Sequence, residues 1–171
     1  MTLNLLKKYN ELLDLASLSE RDRISSIKRV FDRDIRDNPR FYFLNKPIFP
    51  TPRENGEVAM QNLFNHLTRK KQIGDIENHR SFDMSRSQRL HWIMFHIEQK
   101  KKEDMLIFSV DEPQGIRTYI YDIVEKYVIV LEPGRKYDSY YLLTAYHLEG
   151  KDEKRNKILS KYRKHRLPVV Y

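Results

Sequence analysis

Four short apolar segments follow one another between residues 104 and 148: "DMLIFSV", "GIRTYIYDIV", "KYVIVLEPG" and "YYLLTAYHL". Each is strand-length and rich in β-branched and aromatic residues, and turn residues separate them, notably Asp111-Glu112-Pro113 and Pro133-Gly134. Parallel neighbours need a crossover of a dozen or more residues, and no such length is present here. These segments therefore predict a four-stranded antiparallel meander. Around it the 3.6-residue period dominates. Ile24, Ile27, Phe31 and Ile35 mark one helix, with Ser19 as its cap and Asn38-Pro39 as its end. Leu3, Leu6, Tyr9, Leu13 and Leu18 predict an earlier one, so the two form an αα-hairpin. A third helix is predicted from Glu57 to about Arg69, and a fourth over the stretch containing Arg86, Arg89, Leu90, Ile93 and Ile97. The last, from Lys151 to Arg166, is basic, with Ile158, Leu159 and Tyr162 on one side. The fold class is α+β.

"FYFLNKPIFPTPRENG" carries Pro47, Pro50 and Pro52 and cannot be a regular helix. It predicts an extended connector with aromatic anchors, and a division into a helical region with connector, 1–52, and a second domain, 53–171.

Charge narrows the function. Lys and Arg number 32 against 24 Asp and Glu, a formal net charge of +8. Such an excess suits a polyanion, or is a solvated surface with no partner. With no Cys, thiolate metal sites and disulfides are excluded. The six His form no HExxH or i,i+4 pair, and no Gly-rich phosphate loop or GxSxG elbow is present. No apolar run reaches membrane-spanning length, and "MTLNLLKKYNELL" is too interrupted for a signal peptide, so a cytoplasmic place of action and no membrane partner are expected.

What remains is a set of groups that needs no metal or cofactor: His79, Arg80, Arg86, Arg89, Arg117, Thr118, Tyr119, Thr144 and Tyr146. RNA brings its own nucleophile, the ribose 2′-OH. A protein that cuts it needs a base, an acid and cations around the phosphorus. Each residue has a plainer role as well: His79 as a surface residue, Arg86 and Arg89 as surface ion pairs, Thr144 as a good strand former.

"FDMSRSQRLHWIMFHI", Phe82 to Ile97, resembles the F-D-x-x-R-x-x-R-[IL]-x-W-I segment of phage-associated ribonuclease domains of the barnase–EndoU–colicin–RelE (BECR) fold. "YIYDIVEKYVIVLEPG" and then "YYLLTAYHLEG" resemble that group's following strands and its T-A-Y signature. The resemblance covers about residues 75 to 166. It implies a helix leading into a four-stranded antiparallel sheet, and a metal-independent endoribonuclease toxin acting on RNA, often tRNA. A cognate antitoxin or immunity protein is the partner it implies. On this basis Arg86, Arg89, Thr144 and Tyr146 are catalytic candidates, with His79 as acid or base. Arg117, Tyr119 and the tail cations Lys154, Arg155, Arg163, Lys164 and Arg166 are candidates for holding RNA. The alternatives are a non-catalytic RNA- or DNA-binding protein, and an enzyme of this scaffold with another substrate.

Overall fold

The computed structural model describes residues 3–52, 56–71, 80–98, 103–135, 137–150 and 157–171. The protein is α+β. Its helices are α1 (Glu20–Phe31), α2 (Gly56–Thr68), α3 (Met84–Ser87) and α4 (Trp92–Ile97). The strands are β1 (Tyr42–Phe43), β2 (Lys46–Phe49), β3 (Arg69–Lys70), β4 (Ser81–Phe82), β5 (Met105–Glu112), β6 (Gly115–Asp122), β7 (Tyr127–Pro133) and β8 (Tyr140–His147). Residues 157–160 are α-helical and run into a π-helical turn, Lys161–His165.

The four strand segments read from the sequence are β5 to β8, antiparallel in chain order. The sheet is larger than four strands, because its order is β1-β2-β8-β7-β6-β5. The Pro-rich segment supplies the extra pair. Leu44 and Asn45, both at positive φ (48° and 63°), close a two-residue hairpin of the kind whose twist matches its strands. β2 then lies parallel to the start of β8, at Ile48–Tyr140 and Phe49–Tyr141. Past Tyr141 the outer edge of β8 pairs with no strand among the described residues.

The expected αα-hairpin does not form. Only Leu3–Leu6 is helical, as one 3₁₀ turn, and Asn10 at φ 71° breaks the chain away. Leu3 and Leu6 are 68% and 72% exposed, whereas Leu13 and Leu15 are buried without a helix. Helical spacing was accidental here; the segment is held by Leu13 and Leu15 in the core and by polar bonds. The Asn4 amide bonds both backbone groups of Asp14 and the Ser26 hydroxyl, and Leu13 N donates to Gln88 O at 2.9 Å. α1 does begin at Ser19, whose hydroxyl accepts from Asp22 N and donates to the Asp22 carboxylate.

Both faces of the sheet are covered, which explains strands as continuously apolar as "YVIVL". One face packs against α1, α2 and α4 through Ile120, Ile129, Leu131 and Leu142. The other carries Phe108, Tyr119, Tyr121, Val128 and Val130 under Ile158, Leu159 and Tyr162 of the carboxyl-terminal helix. The first core joins Leu13, Phe31 and Phe43 to Trp92, Ile129 and Tyr140, so apolar packing is continuous across position 52.

Candidate functional site at the open edge of β8

The site begins with the way α2 hands the chain to α3. Thr68 ends α2, and its carbonyl accepts Asp83 N at 2.8 Å and the Ser87 hydroxyl at 3.2 Å. The β3–β4 pair closes the same corner. Asp83, buried, caps α3 by accepting Arg86 N at 3.1 Å. Its other oxygen faces Arg86 Nε at 3.5 Å and Lys70 Nζ at 3.6 Å. One carboxylate thus holds two cations, Lys70 and Arg86, at this corner.

Arg86 crosses to β8. Its Nη1 donates to His66 O at 3.0 Å and approaches Thr144 Oγ1 at 3.4 Å, and its guanidinium lies 5.7 Å from the Tyr146 ring centre. Burial lowers the Arg86 pKa against the pull of Asp83, but a guanidinium starts so high that it stays charged. Arg80 Nη2 stands 3.4 Å from His66 Nε2, which places the ring's lone pair towards the cation. Burial raises the Tyr146 phenol, so it keeps its proton.

A bulge in the β7–β8 ladder aims these side chains. Leu131 pairs with Leu142 and Val130 with Thr144, leaving Leu143 extra. Thr144 and Tyr146 then share the sheet face of Val130 and Val128, while Ala145 and His147 point to the other.

Arg89 lies on that other side. Its Nη1 donates to Ser85 O and Ser85 Oγ, each at 2.9 Å, and its Nε is buried with no partner among the described residues. Burial pushes the His147 pKa down, and the Arg89 cation pushes it further. His147 Nδ1 is 3.9 Å from Glu149 Oε1, too far for a hydrogen bond, and is likewise unpartnered. The Ser85 hydroxyl holds the Glu149 carboxyl low, with the Lys70 and Arg89 cations adding to that. The edge of β8 therefore carries a hydroxyl, a phenol and a neutral imidazole beside Lys70, Arg80, Arg86 and Arg89.

The sequence candidates divide accordingly. Arg86, Thr144 and Tyr146 come together, and Arg89 is on the same edge with His147. His79, Lys154 and Arg155 lie outside the described residues. Arg117 forms a 3.0 Å ion pair with Glu132 and lines a groove of about 1090 Å³ that His66 also lines. Tyr119 is not placed to touch a substrate: it is buried, stacked on Phe108, and its hydroxyl is taken by Glu112 and Lys161. Arg163, Lys164 and Arg166 are exposed, but Arg166 bridges to Val110 on β5, the opposite edge of the sheet from β8. His66, His147 and Glu149 were missed. Alternation sets His147 off the Thr144 face, and nothing in the sequence brings the end of α2 to β8.

Compared with protein-family models, with curated proteins and with solved structures, the chain matches none.

Proposed function

We propose that this chain is a metal-independent endoribonuclease with its active site at the open edge of β8. The observation that carries the reading is the convergence of Arg86 with Thr144 and Tyr146, next to Arg89 with His147. Four cations meet two carboxylates there, Asp83 and Glu149, a balance that attracts a phosphodiester and disfavours a divalent cation.

His147, neutral near pH 7, takes the proton of the ribose 2′-OH. The 2′-oxygen bonds to phosphorus and the bond to the 5′-oxygen breaks, leaving a 2′,3′-cyclic phosphate and a 5′-hydroxyl. Tyr146, still protonated, supplies the proton to the departing oxygen. Neighbouring strand residues face opposite ways, so a phosphate on this edge has His147 to one side and Tyr146 to the other, as in-line displacement asks. Arg86 and Arg89 hold the phosphoryl oxygens as charge grows on them, and Thr144 orients the same group by a hydrogen bond. The BECR arrangement, a toxin role and a cognate antitoxin remain part of the proposal through the sequence resemblance.

The test is incubation of the full chain with total RNA in EDTA. Fragments ending in 2′,3′-cyclic phosphate are expected. Arg86→Ala and Thr144→Ala should each slow cleavage about a hundredfold or more with unchanged circular dichroism, and should relieve growth arrest on expression in bacteria. Tight RNA binding without cleavage identifies the non-catalytic alternative. Full cleavage by both folded variants moves the site elsewhere.

A further inference from the structure

The groove beside the site has its own chemistry. Arg117, Glu132 and Tyr141 stand in one row across β6, β7 and β8: the first two are ion-paired at 3.0 Å and the last two are register partners. By the same register, Tyr119, Val130 and Thr144 form the next row on that face. Two residues along a strand is about 7 Å, roughly one step of a sugar–phosphate chain. The Arg117 row and the Thr144 row are thus neighbours, and His66, whose carbonyl holds Arg86, lines the groove as well.

Two guanidiniums converge at the far end. Arg117 Nη1 and Arg135 Nη2 each lie 3.7 Å from where a Cβ on Gly115 would sit. Gly115 has φ +114°, so the turn that makes room for both cations needs glycine. Carbonyls of that turn fix Arg117, through Ile116 O at 3.1 Å and Gln114 O at 3.5 Å. Glu132 neutralises one guanidinium. Arg135, exposed, pairs with no carboxylate among the described residues. Two neighbouring cations with one charge uncompensated suit an anion. The groove floor is apolar, with Leu63 and Leu142 buried beneath it and Leu143 partly exposed, and Tyr141 and Tyr137 also line it. At about 1090 Å³ the space exceeds what a single small ligand fills.

We infer that this groove binds the single-stranded RNA segment next to the scissile phosphate, with a backbone phosphate on Arg117 and Arg135 and a base stacked on Tyr141. The inference rests on the ribonuclease reading of the neighbouring site. Cationic groups along a strand with aromatic faces between them recognise unpaired bases of any sequence, because every base offers a π-face. An acidic peptide would use the two arginines but leave the apolar floor and the tyrosines without a matching ligand. A duplex keeps its bases stacked on each other and cannot use the rings.

The experiment measures binding and cleavage separately. Fluorescent oligo-uridylate, its duplex with oligo-adenylate, and poly-glutamate are titrated in EDTA against the full chain, Arg135→Glu and Tyr141→Ala. The same proteins are assayed on a dinucleotide, which reaches only the scissile phosphate, and on the longer strand. Tighter binding of the single strand than of the duplex is expected, with Arg135→Glu and Tyr141→Ala each weakening it about tenfold. The KM for the long strand should rise in step, while dinucleotide cleavage stays within about twofold. Unchanged single-strand affinity in Arg135→Glu overturns the inference, and so does equal affinity for the duplex or binding of poly-glutamate alone. Arg135-dependent binding without cleavage of either substrate overturns the ribonuclease reading and leaves the groove as a single-strand site.

Discussion

His147 is the residue whose role is most open to measurement. Burial and the Arg89 cation both disfavour its protonated form, so its pKa lies below the usual 6.5 of a histidine. The general base proposed here works when neutral. kcat/KM should therefore fall only as the pH drops below 6.5, and hold its plateau from there through neutrality. His147→Ala should remove this acid limb and cost about 10²- to 10⁴-fold in rate. Arg89→Gln, which deletes the cation but not the bulk, should move the limb to higher pH. A limb that stays in place in both variants would assign it to another group. The same shift acts on stability. The unfolded chain gains a proton on His147 more readily than the folded one, so this contribution is complete above pH 6.5 and is lost as the pH falls through the folded-state pKa. His91 adds in the same sense, because burial lowers it too while its Nε2 bonds Lys8 O at 3.0 Å.

At the scale of elements, the amino-terminal segment is held by a buried polar junction rather than by a helix. His96 of α4 places its Nε2 2.9 Å from the Asp122 carboxylate, and its Nδ1–H donates to Trp92 O at 2.7 Å. Tyr9 donates to the same Asp122 oxygen at 2.9 Å and stacks on Phe95, and Trp92 Nε1 donates to Glu11 O at 3.2 Å. The other Asp122 oxygen accepts Val124 N and Glu125 N, shaping the β6–β7 turn. Tyr9→Phe should lower stability by about 1.5–3 kcal/mol, the usual worth of a hydrogen bond to a charged group, in urea unfolding. Removing residues 1–18 should do far more. It uncovers Trp92 and strips the core of Leu13 and Leu15, so the truncated chain should unfold or aggregate. A soluble truncated protein with native circular dichroism would show this segment to be an appendage.

At the scale of the whole molecule, two sets of cations among the described residues lie apart on the sheet. The β8 edge and its groove hold one set of cations; the exposed Arg163, Lys164 and Arg166 lie towards β5. The carboxyl-terminal helix crosses the intervening sheet face on Ile158, Leu159 and Tyr162, and Lys161 ties it to Glu112. On the proposed ribonuclease reading, cations that far from the β8 edge would add affinity along a long RNA without touching the reaction. Arg163→Ala, Lys164→Ala and Arg166→Ala combined should raise KM and reduce the slope of log K against log salt by up to about 2, since each lost contact to a single strand contributes about 0.7. The rate on saturating RNA should stay within about threefold. A collapsed rate with unchanged KM would put one of the three at the scissile phosphate. Arg166 also sits 4.4 Å from the Tyr162 ring centre, so the triple variant's melting temperature must be compared with wild type.

Local signals sufficed for much of the structure. The antiparallel meander was legible because alternation, β-branched residues and short turns all act between near neighbours in the chain. The same holds for α1, with its Ser19 cap, and for α2. Tyr146 and Thr144 share a face as strand periodicity requires. Periodicity failed at Leu3 to Leu18, where side-chain bonds from Asn4 and Tyr9 to partners far along the chain outweighed a helical pattern. Only the tertiary structure decided that the Pro-rich segment joins the sheet as β1 and β2, since a parallel pairing with β8 leaves no trace in local spacing. It alone sent Arg86 to Thr144, His147 to the Arg89 side, and Arg135 to Arg117. Those meetings depend on how α2, α3 and the β7–β8 bulge pack together, and packing is set by the whole core rather than by any stretch of residues.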